Sequence, residues 1–514
     1  MRLTSIAVLG GGPGGLYAAR LLKVGHPDAQ VDLYEQGVPD KTFGFGVGLA
    51  ARTQRNLHDA DSASFQAIAD ASYPHEMSMQ VDGRVAQLPH GNLRAIARST
   101  LLRVLQASAE QAGVRLHFGA RCDVRAIDAD LMVAADGVGS GTREAFAAEF
   151  QREIATGAGL HLWCGTEFAL PTALFTPVRT EHGTFVAHAY PYAPDRSTFL
   201  VETDETTWRN AGFDVSTEQT RPTDSDNMSL RYLERAFAEA LDGHRLIGNR
   251  TRWQRFRTVK CGSWHLGNVV LLGDAAHTSH YSIGSGTKLA MEDAIALAIA
   301  LRQADDLASA LADYEARRRP AVAHLQEAAD RSRMWWESFP ERTHLPVAQL
   351  MLAYLTRAGK IDIEQVARNA PALARHSLAD FAGVEARVVP ESDLTEWILG
   401  QPVTHEGVTH PRRTAHDELR DAATTETLDI DYESAWGPQA DALVGAPPDA
   451  NTLWLTGSPD RAALLVRLDL AERLRRAARS LIVVEGSRRD IGDLAAGLAS
   501  ERTHLVAVTP EVPV

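Results

Sequence analysis

The first 35 residues constrain the fold more than any other stretch, because they read as strand, glycine turn, helix and second strand. Residues 6–9 are apolar, residues 10–15 are GGGPGG, and a helical pattern follows from 16 to about 22. A second apolar run, 30–34, ends at Glu35, twenty residues (35 − 15) beyond Gly15. The frame Gly10-x-Gly12-x-x-Gly15 in this order, with a terminal acid, predicts a parallel βαβ unit that binds a dinucleotide.

Each residue of this unit has its own predicted task. Gly10 makes the turn, Gly12 lets a pyrophosphate approach the backbone, and Gly15 lets helix and strand pack closely. Glu35 is placed to accept hydrogen bonds from a ribose. The chain has only one such fingerprint, whereas two would be expected if NAD(P)H had its own Rossmann domain.

A second glycine-containing turn follows an apolar strand that ends at Leu272. Residues 273–294 read GDAAHTSHYSIGSGTKLAMEDA and run into a helical segment at 289–301. Asp274 at a strand end, followed by small residues and Gly284-x-Gly286, permits a close approach of the backbone to a phosphate-bearing cofactor. The two glycine turns together indicate a flavoprotein.

Composition sets the broad class of the protein. Its 514 residues exceed one ordinary core and predict two or three units. No run approaches the roughly 18 apolar residues needed to span a bilayer, and the N-terminus begins with a strand pattern rather than a secretory signal. The net charge of −14 argues against nucleic-acid or anionic-membrane partners. Three widely spaced cysteines predict neither disulfides nor a metal site, so we expect a cytoplasmic protein.

Three motifs occur in a characteristic order: GGGPGG at 10–15, DGVGSGTR at 136–143 and GDAAH at 273–277. In this order they resemble the single-component, FAD-dependent aromatic hydroxylases, the group of p-hydroxybenzoate hydroxylase, over roughly the first 375 residues. The resemblance implies an α/β fold, in which a mixed β-sheet substrate domain is inserted into a Rossmann-like FAD-binding domain. We predict that a small C-terminal α/β unit follows.

The resemblance also implies which residues bind FAD. Arg98, in IARSTLL before a helix, looks like the arginine that reaches the pyrophosphate, since a guanidinium suits phosphate geometry. Asp136 belongs to a motif associated with both FAD and NAD(P)H, Asp274 would hold the ribityl region, and FGFGVG at 43–48 would pass near the isoalloxazine. The full predicted set is Gly10, Gly12, Pro13, Gly14, Gly15, Glu35, Gln36, Phe45, Gly46, Val47, Arg98, Asp136, Gly137, Gly273, Asp274, Gly284, Gly286 and Thr287.

Within that family, the chain is more similar to the branch that hydroxylates aromatic CoA thioesters, such as salicylyl-CoA and 2-aminobenzoyl-CoA. The similarity rests on the turn at 273–294, HGTFVAHAYPYAPDRSTFLVE at 182–202 and RSRMWWESF at 331–339. Where p-hydroxybenzoate hydroxylase has a proline pair and an asparagine, this chain has His280-Tyr281 and Lys288. The strand around AHAYPY and TTWR at 206–209 also resemble a hydroxylase of a tryptophan-derived aromatic, which is the alternative substrate class.

The resemblance implies a monooxygenase: NAD(P)H reduces FAD, O2 adds as a flavin C4a-hydroperoxide, and an electron-rich ring is hydroxylated. In salicylyl-CoA the site of attack would be position 5, para to the hydroxyl. A base or acceptor beside that hydroxyl would help, and the candidates are His280, Tyr281 and His188, with Lys288 near the flavin. The alternatives are structural histidines, a Lys288 salt bridge, and a flavin-binding protein that does not oxygenate.

We predict five segments along the chain. Residues 1–160 form the first part of the FAD-binding domain, 161–260 the substrate sheet, 261–384 the second part of the FAD-binding domain and helices, 385–450 a linker-like segment and 451–514 the C-terminal unit. In that unit, strands at 452–456, 481–485 and 503–508 alternate with helices at 459–478 and 489–499. It is either the remnant of a flavin barrel found in bifunctional relatives or a thioredoxin-like tail. We expect the aromatic acyl-CoA substrate and O2 as partners, and a homodimer contact through this unit.

Overall fold

A computed structural model describes residues 2–39, 42, 44–284 and 286–510, without the side chains of His90 and Gly91. Phe43 of the predicted ring-contacting segment and Ser285 of the second turn lie outside the described residues. The chain forms two compact units, the first from Met1–Ser78 and His90–Glu337, the second from Met79–Pro89 and Ser338–Val514.

A six-stranded sheet of short apolar strands forms the centre of the first unit. In spatial order its strands are His265–Leu266, Val269–Leu271, Leu131–Ala134, Ser5–Leu9, Gln30–Glu35 and Arg115–Phe118. All neighbours are parallel except the edge hairpin at 265–271. Because carboxyl ends of parallel strands meet at one edge, Gly10, Glu35, Asp136 and Asp274 are brought to the same side of the sheet. The predicted α/β class is confirmed.

Helices cover this sheet and the surrounding segments. The helix Pro13–Gly25 packs on Gly286–Gln303, and Gly14 makes this possible, since an added Cβ there would lie 2.8 Å from Ala290 Cβ. The remaining helices of the first unit are Ala51–Ala60, Ser62–Asp70, Arg98–Ala112, Gly141–Ala145, Glu205–Asn210, Phe213–Gln219, Asn227–Ala236, Ala238–Leu241 and Leu307–Glu337.

A nine-stranded sheet lies mainly in the first unit, although residues 79–89 of two of its strands are grouped with the second unit, and we call it the inserted sheet. Its order is Leu246–Ile247, Arg152–Thr166, Arg196–Thr203, Gly183–Ala193, Ala173–Thr180, Tyr73–Val81, Arg84–Ala97 and Gly46–Leu49, with Gln254–Cys261 also paired to Arg152–Thr166. Three of these strands come from 46–97, a region that the sequence prediction places in the first FAD-binding segment. Sequence contiguity suggested that grouping, but long-range strand pairing overrides it.

The two faces of the inserted sheet have different surroundings. Leu162, Phe199 and Val201 point to one face and join an apolar core that also includes Phe213 and Leu233 from the helices. Since side chains alternate along a strand, the intervening residues of the same strands share the opposite face. That second face carries the polar and aromatic side chains described below.

The second unit contains a four-stranded parallel sheet in sequential order. Its strands are Thr425–Asp429, Thr452–Thr456, Leu481–Ser487 and Leu505–Thr509. The helices Arg461–Ala477 and Ile491–Ala499 connect the last three, so the predicted alternation of strands and helices from 452 onward is confirmed. Sequential parallel strands joined by helices are the arrangement of consecutive units in a β/α barrel, of which a full one has eight strands.

The segment 385–450 is not a linker, contrary to the sequence prediction. It contains an edge strand of the parallel sheet, Thr425–Asp429, and a hairpin formed by Val403–His405 and Val408–His410. The strand reads TETLD and is largely exposed, so it lacks the apolar run that would reveal it. Helices of this unit not yet given are Val347–Thr356, Ile363–Asn369, Pro371–Ala382, Leu394–Leu399, Asp417–Arg420 and Pro438–Gly445. Residues 338–384 belong to this unit too, rather than to the FAD-binding part.

Among the described residues, no helix combines the length and the apolar character that crossing a lipid bilayer requires.

Candidate functional site

Of the three fingerprint glycines in the turn after the first strand, only Gly12 has open space beside it; Gly10 and Gly15 have none. Gly10 has φ +104°, and an added Cβ would lie 2.2 Å from the Ala135 carbonyl oxygen. At Gly15 an added Cβ would lie 2.0 Å from the Gly10 carbonyl oxygen, whereas at Gly12 it would meet nothing within 4 Å. Gly12 also caps the helix Pro13–Gly25, whose N-terminal N–H groups favour an anion. The turn therefore fits a pyrophosphate placed over Gly12.

Glu35 stands at the end of the neighbouring strand and is held in a fixed orientation. Its Oε2 accepts a hydrogen bond from the Gly11 N–H at 2.7 Å, and its Oε1 accepts one from the Gly37 N–H at 2.6 Å. A carboxylate has about four acceptor positions, so both oxygens keep capacity for ribose hydroxyls. Gln36, which follows, is exposed.

Arg143 joins the second and third motifs, although the sequence prediction does not include it among the site residues. Its buried guanidinium donates to the carbonyl oxygens of Val138 at 2.6 Å, Asp274 at 3.2 Å and Ala275 at 3.0 Å. Its position in DGVGSGTR is the signal that could have found it. Asp136, earlier in the same motif, accepts from the Thr142 N–H with Oδ2, while its buried Oδ1 has no partner among the described residues.

Asp274 and His277 play different parts in the third motif. The Asp274 side chain is exposed, but protein surrounds it at longer range, and this desolvation raises its pKa although His277 and the Arg98 guanidinium oppose the shift. His277 is buried and its Nε2 lies 2.7 Å from Asp293 Oδ2. Asp293 also accepts from Arg318 Nε at 2.7 Å. The His277 network holds the turn in place and leaves Asp274 for a ligand.

The segment 44–48, with its alternating glycines, contacts other strands of the inserted sheet through Gly46. Gly46 N–H donates to Thr198 Oγ1 at 2.9 Å, and the Tyr190 hydroxyl donates to the Gly46 carbonyl oxygen at 2.8 Å. An added Cβ on Gly46 would lie 2.8 Å from the Tyr192 ring, so only glycine fits. Arg98 begins its helix beside this segment, where its N–H donates to the Phe45 carbonyl oxygen at 2.7 Å.

The open face of the inserted sheet and the third motif together bring a cluster of aromatic side chains into contact, which we call the ring pocket. Tyr281 is at its centre, with ring centroids 4.0 Å from His280, 4.8 Å from His161 and 6.1 Å from Trp163. The further members of the ring pocket are Phe175, His188, Glu202, Phe256 and Trp336. Three predicted catalytic residues, His280, Tyr281 and His188, are thus brought together.

Glu202 is the charged centre of the ring pocket. It is opposite His161 in the strand register, 9 % exposed, and its Oε2 lies 3.5 Å from His188 Nε2. Burial alone would raise the pKa of the carboxyl, but His188, His280 and Tyr281 outweigh it and lower this pKa to about 2. Its Oε1 is buried without a hydrogen-bond partner among the described residues.

Three titratable groups beside Glu202, namely His280, His161 and Tyr281, stay neutral near pH 7. Burial lowers the pKa of His280 to about 3 and that of His161 to about 4, although the Glu202 charge opposes both shifts. Burial, followed by the same charge, raises the pKa of Tyr281 well above its usual range. His280 Nδ1 is 2.9 Å from the Ser282 hydroxyl, which fixes the ring.

Lys288 is not part of the ring pocket. Burial lowers its pKa, and the charges that act on it are Glu292, Arg52 and Arg318. Glu292 accepts instead from Asn56 at 2.8 Å and lies 3.7 Å from Arg318, so the described residues give Lys288 no salt bridge.

Sequence reasoning missed Glu202, His161, Trp163 and Phe256 as pocket residues. The available signal for Glu202 was an acid at an inward position of the otherwise apolar strand STFLVE.

The residues of the first unit fit FAD. Gly12 leaves room at a helix N-terminus, Glu35 stands at the ribose position of the fingerprint, and the unpartnered Asp136 Oδ1 and the Asp274 carboxylate face the same edge of the sheet. The pyrophosphate would lie over Gly12, with the ring end toward Gly46 and the ring pocket.

Comparisons with known proteins show which family the chain is similar to. The family model described as FAD binding domain matches residues 96–329. Over 70 % of its length the chain is 39 % identical to a salicyloyl-CoA 5-hydroxylase from Streptomyces sp, of which it covers 72 %. It is also 39 % identical to a 3-hydroxy-4-methyl-anthranilyl-[aryl-carrier protein] 5-monooxygenase from Streptosporangium sibiricum, over 70 % of this chain and 96 % of that one. A solved 2-methyl-3-hydroxypyridine-5-carboxylic acid oxygenase shares the fold, with a TM-score of 0.52 at 20 % identity over 73 % of this chain and 97 % of that one.

Proposed function

Because the chain belongs to the FAD-dependent aromatic hydroxylases, we propose that it hydroxylates an aromatic acyl thioester, salicylyl-CoA at ring position 5, with NAD(P)H as reductant and O2 as the oxygen source. The observation that carries the proposal is the buried Glu202 carboxylate among aromatic side chains: the Tyr281 hydroxyl interacts with it, but its Oε1 accepts no hydrogen bond of good geometry from the described residues. A ring hydroxyl or amino group is the donor that this oxygen would satisfy, since an unpaired buried acceptor is costly.

Glu202 would activate the ring by accepting this hydrogen bond. FAD, when bound, would supply the redox chemistry that activates O2 for transfer of one oxygen atom to the ring, with NAD(P)H as the source of electrons. Because Glu202 stays ionised, its charge draws the phenolic proton and pushes electron density to the para carbon, which in salicylyl-CoA is position 5. His188 holds the carboxylate from one side, while Tyr281 and the neutral His280 orient the ring and exclude water.

Support for a thioester substrate comes from the two relatives. One is named for salicyloyl-CoA, the other for an anthranilyl group on an aryl-carrier protein, so both names describe an aromatic acid with an ortho donor held on a carrier. Hydroxyl and amino donors both suit a carboxylate acceptor such as Glu202.

The test is a screen of substrate-stimulated NAD(P)H oxidation by the FAD-loaded protein. Salicylyl-CoA and 2-aminobenzoyl-CoA are compared with benzoyl-CoA, which lacks the ortho donor, and with free salicylate. We expect the two donor-bearing thioesters to accelerate oxidation with formation of a hydroxylated product, and the controls to give little product. A free indole or free acid that outperforms every thioester would contradict the proposed substrate class.

A further inference from the structure

A cleft of about 680 Å³ lies in the first unit beside the segment predicted to pass near the isoalloxazine, and it shares Phe45 with that segment. Its volume falls within the range of about 300–1,000 Å³ typical of small-molecule sites. Phe45, Tyr192 and Ile247 form its apolar walls, and Asn249, Arg196 and Arg250 supply its polar groups. We call it the side cleft.

The walls of the side cleft suit a flat heterocycle. Phe45 and Tyr192 are 8 % and 9 % exposed and belong to one apolar cluster, so their rings are held by packing. Asn249 uses its Nδ2 to donate to the carbonyl oxygens of Thr42 and Gly44, at 3.0 and 3.1 Å. Its Oδ1 accepts no hydrogen bond from the described residues and is available to an exocyclic amino group.

The rim of the side cleft is cationic. Arg250 is exposed and has no ion pair or hydrogen bond within the described part of the chain. Its φ of +55° lies in the left-handed region that side-chain-bearing residues rarely adopt. The flanking bonds from Asn249 N–H to Thr251 Oγ1 at 3.0 Å and from Thr251 N–H to Ser225 Oγ at 3.2 Å hold this turn. The protein thus maintains an uncommon backbone conformation at a residue whose charge is unused.

Arg196 adds a second cation at the same rim. Its carboxylate partner is the adjoining Asp195, 3.7 Å away and exposed, which leaves an excess of one positive charge over Arg196, Arg250 and Asp195. Ser99, the second residue of the helix Arg98–Ala112, also lines the cleft, so N–H groups of the first helical turn add to the positive potential.

A series of side-chain contacts connects the side cleft to the ring pocket. The Phe45 ring packs on Gly165, where an added Cβ would lie 2.5 Å from it. Trp163, two residues earlier on the same strand, packs against the cluster of Phe45 and Tyr192 and reaches Tyr281 of the ring pocket. A ligand in the side cleft is therefore one aromatic side chain away from the ring pocket.

We propose that the side cleft binds the adenine nucleotide portion of a cosubstrate, with the base against the wall formed by Phe45 and Tyr192 and the phosphates at Arg196 and Arg250. The inference rests on the proposed function, whose reaction uses two ligands with this portion, NAD(P)H and the CoA thioester. The single dinucleotide fingerprint is occupied by FAD in that reaction, so these ligands need another site.

The test uses Arg196→Gln, Arg250→Gln and the double variant of the full-length, FAD-loaded protein, with Arg221→Gln as the control. Arg221 is exposed, is in the same unit and has its own partner in Asp224 at 3.1 Å. Equilibrium binding of NADH, NADPH and CoA is measured without aromatic substrate, so the result does not depend on which ring is hydroxylated. KM for salicylyl-CoA is measured beside KM for the N-acetylcysteamine thioester of salicylate, which has no nucleotide.

Loss of one charged phosphate contact should weaken binding about tenfold, and the double variant should lose more, with flavin content unchanged. A rise in the Kd of CoA and in KM for salicylyl-CoA, but not for the truncated thioester, identifies the acyl carrier as the occupant. A rise confined to NADH or NADPH identifies the reductant. Wild-type constants for all three nucleotides in the double variant overturn the proposal, even if thioester hydroxylation itself is confirmed.

Discussion

Replacing Glu202 by glutamine tests the proposed activation of the ring most directly. The substitution keeps the shape of the side chain and removes the charge that faces His188 at 3.5 Å. A hydrogen bond to a charged acceptor contributes about 1.5–3 kcal/mol and one to a neutral acceptor about 0.5–1.5 kcal/mol, so Glu202→Gln should cost about 1–1.5 kcal/mol. At about 1.4 kcal/mol per tenfold, kcat/KM for salicylyl-CoA should fall about 5- to 12-fold.

The assay separates this loss from general damage. Product formed per NAD(P)H consumed is measured together with kcat/KM, because a poorly activated ring lets reducing equivalents escape without hydroxylation. Glu205→Gln is the control variant, since Glu205 follows the same strand but is exposed and pairs with Arg209 and Arg255. The O-methyl ether of salicylyl-CoA is the control substrate, because it has no hydroxyl to donate. Equal kcat/KM and equal coupling in Glu202→Gln and the wild type would refute the assigned role.

Three further outcomes are expected. Gly12→Ala should fold with an unchanged Tm but bind FAD more weakly, because its Cβ occupies the open space over the turn. Gly15→Ala should fail to fold stably, since its Cβ would lie 2.0 Å from the Gly10 carbonyl oxygen. Flavin absorbance and thermal unfolding distinguish the two variants. His280 has a folded pKa of about 3 against about 6.5 unfolded, so below pH 6.5 only the unfolded chain takes up the proton and stability falls by up to about 1.4 kcal/mol per pH unit. The Tm of His280→Asn should therefore drop less than that of the wild type between pH 7 and pH 5. Glu472→Gln should lower the free energy of unfolding of the second unit by about 3 kcal/mol or more, measured by urea unfolding. The reason is that the buried Arg342 guanidinium, whose Nε lies 2.6 Å from Glu472 Oε1, loses the negative charge that faces it.

The fold of the first unit was predictable where local pattern and motif agree. The strand, turn and helix at 5–25 are visible because apolar periodicity ends at glycines that the structure cannot replace, as Gly10 and Gly15 demonstrate. The alternation of strands and helices from 452 onward was equally visible, because those strands are buried and apolar.

The parts that escaped prediction depend on distant pairing. The strand Thr425–Asp429 lies at the edge of the sheet, pairs only with Thr452–Thr456 and is largely exposed. Its residues are therefore mostly polar, and its sequence resembles that of a loop. Glu202 was missed as a pocket residue because a strand-end acid looks solvated until the register places it opposite His161 and in reach of His188. The third motif identified His280 and Tyr281 as candidates from the sequence. The negative charge beside them is that of Glu202, which belongs to the inserted sheet.

The two-faced strand Arg196–Thr203 has a consequence for insertions and deletions. Leu200 and Glu202 face the ring pocket, while Phe199 and Val201 face the apolar core. Removing a single residue from the turn before this strand, if the pairing slipped to compensate, would exchange the two sets. A carboxylate would then enter the core and a valine would stand where the ring hydroxyl is received. Length changes in this hairpin should therefore be tolerated only in steps of two, a parity rule that deletion scanning of residues 193–196 can reveal.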